Sequence, residues 1–206
     1  KGISVDEWKK KICEETERLR PQLIQLSHSI HDEPEIGFQE FKSSAKICDF
    51  LEKQGFEVTY LDVDEWGSIR LDILEKAIRK DTILISVMYA NNEVGTIQKI
   101  AQIGKIAEKN DILFHTDAVQ ACGNIPINVQ KMQIDMLSLS GHKLYAPKGT
   151  GALYVKNGIE FEKFIDGGHQ EKNKRAGTEN VSGIVGLGKA CELANINLEE
   201  HQKYLT

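Results

Sequence analysis

Residues 82–118, TILISVMYANNEVGTIQKIAQIGKIAEKNDILFHTDA, contain the pattern that decides the fold. Two apolar runs, TILISVMYA and ILFHTDA, flank a segment whose apolar residues recur at helical intervals. Strands that are apolar throughout and alternate with amphipathic helices are typical of parallel strands joined by right-handed crossovers. We therefore predict an α/β fold with a mainly parallel sheet whose strands are buried on both faces.

The same pattern extends along the chain in both directions. A β-rich run, FEVTYLDV (56–63), precedes a helix-like segment, LDILEKAIRK (71–80). Two more apolar runs, MLSLS (136–140) and GALYV (151–155), follow the deciding stretch. We predict that residues 56–206 form a partial α/β domain.

The first 55 residues have a helical pattern instead. Apolar residues recur at helical spacing over residues 8–30, after a capping-box pattern, Ser4-Val5-Asp6-Glu7. Pro21 predicts a kink or a restart in this helix. A turn-forming segment, HDEPEIGF (31–38), leads to a second amphipathic run that ends at Gly55, a residue suited to a helix C-terminus. Residues 1–55 are thus a predicted helical segment.

Composition excludes several classes of function. The 206 residues carry 26 Lys and Arg against 31 Asp and Glu, a net charge of −5, and the basic residues are scattered. We therefore expect no nucleic acid and no membrane as partner. With no apolar run of ~20 residues and no apolar signal core, the chain is expected to be soluble and cytoplasmic. The four cysteines form no CxxC pair and predict reduced thiols.

Polar residues follow three of the apolar runs. Asn92 comes after the run TILISVMYA. Asp117 lies at the end of the run ILFHTDA, and Gln120 follows that run. Residues 140–143, Ser-Gly-His-Lys, begin at the last residue of MLSLS. Ligands of parallel α/β sheets bind outside the carboxyl ends of the strands. We therefore expect the three strand ends to converge on one ligand.

The residue types at these ends predict the ligand. A carboxylate at a buried strand end, Asp117, needs a cation, and a protonated pyridine nitrogen would supply it. We expect Lys143 to be partly buried, which would suit it to form a Schiff base with a carbonyl cofactor. Ser140 and His142 are spaced to donate hydrogen bonds to a phosphate. Singly, each residue has a commoner structural role, but together they predict pyridoxal phosphate.

Four segments resemble the central region of cysteine desulfurases of the class-V aminotransferase family. They are MYANNEVGTIQ (88–98), HTDAVQACG (115–123), DMLSLSGHKLYAPKGTGALYV (135–155) and GGHQEKNKRAGTEN (167–180). The resemblance implies an incomplete large domain of the type I aminotransferase-like fold. It also implies pyridoxal phosphate as cofactor, L-cysteine as substrate, sulfur transfer as in iron–sulfur cluster assembly, a homodimer, and a sulfur-acceptor or scaffold protein as partner.

The resemblance also assigns roles to individual residues. It implies that Lys143 carries the cofactor and that Asp117 pairs with the pyridinium nitrogen. Further contacts to the cofactor are implied for the ring oxygen (Asn92, Gln120), for the phosphate (Ser140, His142) and for the phosphate of the neighbouring subunit (Thr178).

Two parts of that family have no counterpart in the sequence. No Gly-Ala-Thr phosphate loop occurs in residues 1–40, and the loop that carries the family's persulfide-forming cysteine would lie beyond Thr206. Cys122 and Cys191 are interpreted as packing residues, because neither position indicates the exposed, electropositive setting of a thiolate. A non-catalytic remnant or interaction module is therefore the alternative to a desulfurase-type enzyme.

A second resemblance concerns the N-terminal part. Residues 19–58, and above all LSHSIHDEPEIGFQEFKSSAKICDFLEKQGFEV (26–58), resemble the opening helices of a zinc-dependent amidohydrolase or carboxypeptidase-like metallopeptidase. The chain is therefore expected to be chimeric or truncated. Zinc hydrolysis is the least favoured activity, since no set of His and carboxylate residues is placed to complete a metal site.

Overall fold

The computed structural model describes residues 5–33, 41–161 and 167–205. Ser4 of the predicted capping box and residues 34–38 of the predicted turn lie outside these ranges. The chain divides into two compact units, residues 1–60 with 162–177 and residues 61–161 with 178–206. The division predicted from the sequence, 1–55 and 56–206, stays a prediction.

The first unit is helical. Helix α1 spans Val5–Asp32 and runs through Pro21 without a restart, α2 spans Phe41–Lys53, and a short turn of helix follows later in the chain. Gly55 has a positive φ of 89°, its N–H donates to Glu52 O at 2.9 Å, and the next N–H, from Phe56, donates to Leu51 O at 3.1 Å. This Schellman arrangement ends α2 and confirms the predicted role of Gly55.

The second unit contains a four-stranded sheet. Its strands are β1 (Leu84–Met88), β2 (Leu113–Asp117), β3 (Met136–Ser140) and β4 (Gly151–Val155), in the order β1-β2-β3-β4. The first three are parallel, and β4 is antiparallel to β3. The predicted, mainly parallel α/β fold is therefore confirmed.

The second unit also contains four α-helices and a 3-10 helix among the described residues. They are α3 (Leu71–Ala77), α4 (Ile100–Lys109), the 3-10 helix (Gly141–Leu144), α6 (Val181–Ile196) and α7 (Leu198–Leu205), while the short turn of the first unit, α5, is Gln170–Asn173. The core lies where α4 packs on β2, with Ile103 and Phe114 fully buried. Among the described residues, no helix is both long and apolar enough to cross a membrane.

The prediction that the strands are buried on both faces is wrong. Burial alternates instead: Ile85, Val87 and Phe114 are buried, whereas their neighbours in the strands are exposed or half-buried. The second face carries the exposed Leu84 and Leu113 beside Ser86 and His115, and no layer of the described residues buries it.

The strand predicted over residues 56–63 does not form either. Only Val63 pairs, in an isolated antiparallel bridge with Ile69. The turn between them is closed by Asp64, whose Oδ1 accepts the N–H groups of Trp66 (3.0 Å) and Ser68 (2.8 Å). With this tight turn as its partner, the run has no neighbouring strand to extend it.

Candidate active site

The carboxyl ends of β1, β2 and β3 lie side by side. Asp117, the last residue of β2, is in register with Met88 of β1 and with Ser138 of β3. Because these three strands are parallel, the polar residues that follow them lie at the same edge of the sheet. Asp117 is at the centre of that edge.

Asp117 has no cation among the residues that the structure describes. The side chain is half-buried, and its Oδ1 accepts the N–H of Val119 at 2.9 Å. The carboxylate therefore accepts a backbone hydrogen bond and meets no opposite charge in the described ranges. The need for a cationic partner, inferred from the sequence, thus persists in the structure.

A row of side-chain hydrogen bonds crosses the sheet just before Asp117. Ser86 Oγ lies 2.8 Å from His115 Nδ1, and Ser138 Oγ lies 2.9 Å from His115 Nε2. Burial lowers the pKa of His115, and the Asp117 carboxylate opposes this effect in part. Sequence reasoning missed these three residues, although polar residues at every second strand position signal a face that is not apolar.

Ser140 and His142 lie together at the end of β3. Ser140 Oγ is 2.8 Å from His142 Nδ1. In a 3-10 helix, residues three apart face the same side, so the buried pair Gly141 and Leu144 leaves His142 and Lys143 exposed. The partial burial predicted for Lys143 is therefore wrong. Lys143 makes no hydrogen bond or ion pair with any residue of the described ranges.

Lys143 faces a cavity of about 630 Å³ that it shares with Cys122 and with helices α6 and α7. On its far side, Asn124 Oδ1 lies 2.9 Å from His201 Nε2. Burial, with smaller effects of Cys191 and Asp117, raises the pKa of Cys122 from 9.0 to about 11. This thiol is protonated at neutral pH, which agrees with its interpretation as a packing residue.

The other three predicted site residues, Asn92, Gln120 and Thr178, make no described hydrogen bond to the rest of the predicted site. Asn92 is exposed, and its Nδ2 donates to Glu93 at 2.8 Å. Gln120 is half-buried, and only its backbone carbonyl is bonded, to Asn124 Nδ2 at 2.9 Å. Thr178 is exposed. No described hydrogen bond joins these three side chains to Asp117, Ser140 or Lys143.

The donor set suits pyridoxal phosphate. An unpaired lysine, a carboxylate without a cation, and a hydroxyl–imidazole pair are the groups needed by a carbonyl, a pyridine nitrogen and a phosphate. In contrast, the described part of the chain holds no group of three or more His, Cys, Asp or Glu residues that could bind a metal ion.

The family model described as aminotransferase class-V matches residues 16–206. The chain belongs to the class-V aminotransferase family. Members of this family depend on pyridoxal phosphate, as the residues at the strand ends predict. The match includes residues 19–58, the segment that resembles metallopeptidases; that resemblance and a chimeric origin stay predictions.

Individual relatives are cysteine desulfurases. The chain is 60% identical over 158 residues to cysteine desulfurase IscS of Methanosarcina thermophila, covering 77% of this chain and 39% of that protein. It is 58% identical over 159 residues to cysteine desulfurase IscS of Dictyoglomus turgidum, covering 77% and 40%. The class-V chain thus spans about two fifths of the length of these curated relatives.

Solved structures confirm the fold. SspA in complex with cysteine matches with a TM-score of 0.70 and 50% identity, covering 74% of this chain and 45% of that one. A NifS-like protein matches with a TM-score of 0.73 and 38% identity, covering 86% and 50%. The sheet of the class-V chain is therefore that of a type I pyridoxal-phosphate enzyme.

Proposed function

We propose that this chain is part of a pyridoxal-phosphate-dependent cysteine desulfurase, which takes sulfur from L-cysteine and leaves alanine. The observation that carries the proposal is a carboxylate and an amine at the strand ends, neither of which meets a group of opposite charge among the described residues. Asp117 has no cation and Lys143 has no anion among the described residues. A ligand with a basic ring nitrogen and a carbonyl group satisfies both.

The residues of this site have separate tasks. Asp117 would hold a proton on the pyridine nitrogen, because its carboxylate stabilises the cationic form of the ring. Lys143 Nζ would attach the carbonyl carbon, and the pair of Ser140 and His142 would bind the phosphate. When bound, pyridoxal phosphate supplies an electron sink for the charge that develops on the substrate.

One relative supports the substrate of this proposal, and the partners are an extension of it. A solved structure with 50% identity is that of SspA in complex with cysteine, which supports L-cysteine as the substrate. We extend the proposal to a homodimer in which Thr178 reaches the phosphate of the neighbouring subunit, to a sulfur-acceptor or scaffold protein, and to a cytoplasmic location. We do not assign Cys122 as the sulfur-accepting group, because burial raises the pKa of its thiol to about 11.

The test is to trap the cofactor on its lysine. Pyridoxal phosphate is added to the purified protein, the adduct is reduced with borohydride, and the pyridoxyl-peptides are identified by mass spectrometry. We expect selective labelling of Lys143. The matched controls are Lys143→Ala, which should lose the adduct, and Lys148→Ala, which removes an exposed lysine of the same loop and should keep it.

Two outcomes would overturn the proposal. Labelling spread over surface lysines, or no labelling, would favour the alternative of a non-catalytic remnant or interaction module. A second experiment measures the alanine and sulfide that the protein forms from L-cysteine, and the Lys143→Ala variant supplies the background rate. No observation on the described residues favours zinc hydrolysis.

A further inference from the structure

The hydrogen-bonded row of Ser86, His115 and Ser138 lies on the same face of the sheet as Asp117. Side chains two residues apart in a strand point to the same face, so His115 and Asp117 share it. Ser86 is in register with His115, and Ser138 is in register with Asp117. The strand that carries the carboxylate is therefore joined to both neighbours two residues before its last residue.

Both ring nitrogens of His115 are satisfied when the ring is neutral. A neutral imidazole has one donor and one acceptor nitrogen, and each serine hydroxyl can serve as either partner. The two serines therefore fix the plane of the ring without requiring a charge on it. Which nitrogen carries the proton follows from the orientation of the two hydroxyls.

The charge on His115 matters for Asp117. Burial lowers the pKa of His115 more than the Asp117 carboxylate, the charged group that acts on it, raises it. The ring is therefore neutral at neutral pH. A protonated ring would compete with any ligand cation for the carboxylate, whereas a neutral ring leaves the negative charge available.

We propose that His115 is a positioning residue for Asp117: held as a neutral ring by Ser86 and Ser138, it ties β2 to both neighbouring strands two residues before the carboxylate and leaves the charge of that carboxylate to the ring nitrogen of the cofactor. This inference rests on the proposed function and deepens it. His115 acts through Asp117, and both of its ring nitrogens are occupied by the two serines. Its serine partners, on β1 and β3, make the three strands act as one support.

A purely structural bridge on the opposite face supplies the comparison. Thr116 Oγ1 donates to Val87 O at 2.8 Å and also joins β1 to β2, but its side chain is fully buried on the core face. Thr116→Val therefore removes a cross-strand hydrogen bond without touching the face of Asp117. It shows what a loss of sheet stability alone does to cofactor binding.

The first measurement needs no cofactor. The side-chain nitrogens of His115 are titrated by 15N NMR in the wild type and in Asp117→Asn. We expect a neutral ring at neutral pH in the wild type and a further fall of the His115 pKa in Asp117→Asn, because the carboxylate raises it. An unchanged pKa in Asp117→Asn would overturn the coupling on which the proposal depends.

The second measurement is equilibrium titration of the protein with pyridoxal phosphate, read by the visible absorption band of the bound cofactor. We expect His115→Gln to raise the dissociation constant about 3- to 10-fold, the effect of one hydrogen bond, and to shift the band. Ser86→Ala and Ser138→Ala should act in the same direction, and Ser86→Thr, which keeps the hydroxyl, should restore binding.

The outcomes separate this proposal from the proposed function. If His115→Gln binds with the wild-type constant and band, or changes binding only as much as Thr116→Val does, the positioning role is overturned and the proposed function stands. If the wild type shows no saturable binding, the proposed function fails, and the cofactor role of His115 fails with it. Circular dichroism of each variant checks that it is folded.

Discussion

Ser140 Oγ and His142 Nδ1 lie 2.8 Å apart where β3 passes into the 3-10 helix. The hydroxyl and the imidazole satisfy each other in the free protein, so that both are held at the strand end. A phosphate that binds there exchanges this hydrogen bond for charge-assisted ones, which are stronger. The pair is thus kept in position for an anion.

Ser140→Ala should therefore weaken phosphate recognition selectively. We expect the dissociation constant of pyridoxal phosphate to rise about 3- to 10-fold, as for the loss of one hydrogen bond, while that of pyridoxal, which has no phosphate, stays unchanged. Titration of both ligands measures the difference. Ser29→Ala on α1, which removes a hydroxyl bonded to Leu26 O, is the control. An equal loss for both ligands would contradict the phosphate role.

A side chain at Gly104 should destabilise the protein. A Cβ at this position of α4 would lie 2.0 Å from Met132 O, so Gly104→Ala forces the helix away from the segment before β3. We expect a loss of about 1–3 kcal/mol in the free energy of unfolding, despite the better helix propensity of alanine.

Gly188→Ala in α6 is the matched control for this substitution. A Cβ at Gly188 would meet no atom within 4 Å, so we expect a gain of up to about 1 kcal/mol from helix propensity alone. Urea denaturation of both variants measures the change in the free energy of unfolding, which should be a loss for Gly104→Ala and a gain for Gly188→Ala. A stabilised Gly104→Ala protein would show that α4 does not pack closely against Met132.

Asp135→Ala should destabilise the sheet. Asp135 Oδ2 accepts the N–H of Phe114 at 3.0 Å, and Oδ1 lies 3.0 Å from Lys156 Nζ. Removing the carboxylate leaves a buried backbone N–H without its partner, at a cost of about 1–3 kcal/mol in the free energy of unfolding. Lys156→Ala removes only a side chain that is 55% exposed and should cost about 0–1 kcal/mol.

The comparison of these two variants tests which contact matters. If Lys156→Ala is as destabilising as Asp135→Ala, the ion pair dominates and the interpretation of the backbone contact is wrong. Thermal or urea unfolding at moderate salt concentration is sufficient for this comparison. Added salt screens the exposed ion pair with Lys156 and leaves the buried hydrogen bond from the Phe114 N–H in place.

Stability should fall in alkaline solution through Cys122. Its folded pKa of about 11 lies above the ordinary value of 9.0, so the folded state holds its proton more tightly. The contribution of this group is present in full below pH 9.0 and is lost as the pH rises to about 11. Cys122→Ala should flatten the decline of the free energy of unfolding over this range.

Tyr89 also contributes to the loss of stability in alkaline solution and therefore serves as a control for the effect of Cys122. Burial, with a smaller effect of Cys122, also raises the pKa of Tyr89, so part of the decline remains in Cys122→Ala. Tyr89→Phe should remove that remaining part. A Cys122→Ala protein with the wild-type pH dependence would show that the thiol is not the titrating group.

Much of the fold and part of the site follow from local sequence pattern. The strands that end at Asp117 and Ser140 were predictable because an apolar run followed by polar residues marks a parallel strand end. The strand predicted over residues 56–63 failed because a strand needs a neighbour, and no local pattern shows whether one is present. Gly55 was predictable because its role is local.

The supporting residues were harder to predict. Ser86, His115 and Ser138 come from three strands, and their contact depends on register, which the sequence of each strand does not contain. The exposure of Lys143 depends on which side of the 3-10 helix turns inward, at Gly141 and Leu144. Both are consequences of tertiary packing.

The order of the strands in the sheet is the order of the strands in the chain. Each of β2, β3 and β4 therefore finds one neighbour of the described sheet already synthesised when it leaves the ribosome. Asn92, Asp117, Gln120 and Lys143 all come from this consecutive stretch. The strand ends that carry the proposed cofactor residues can therefore form during translation, before α6 has been made.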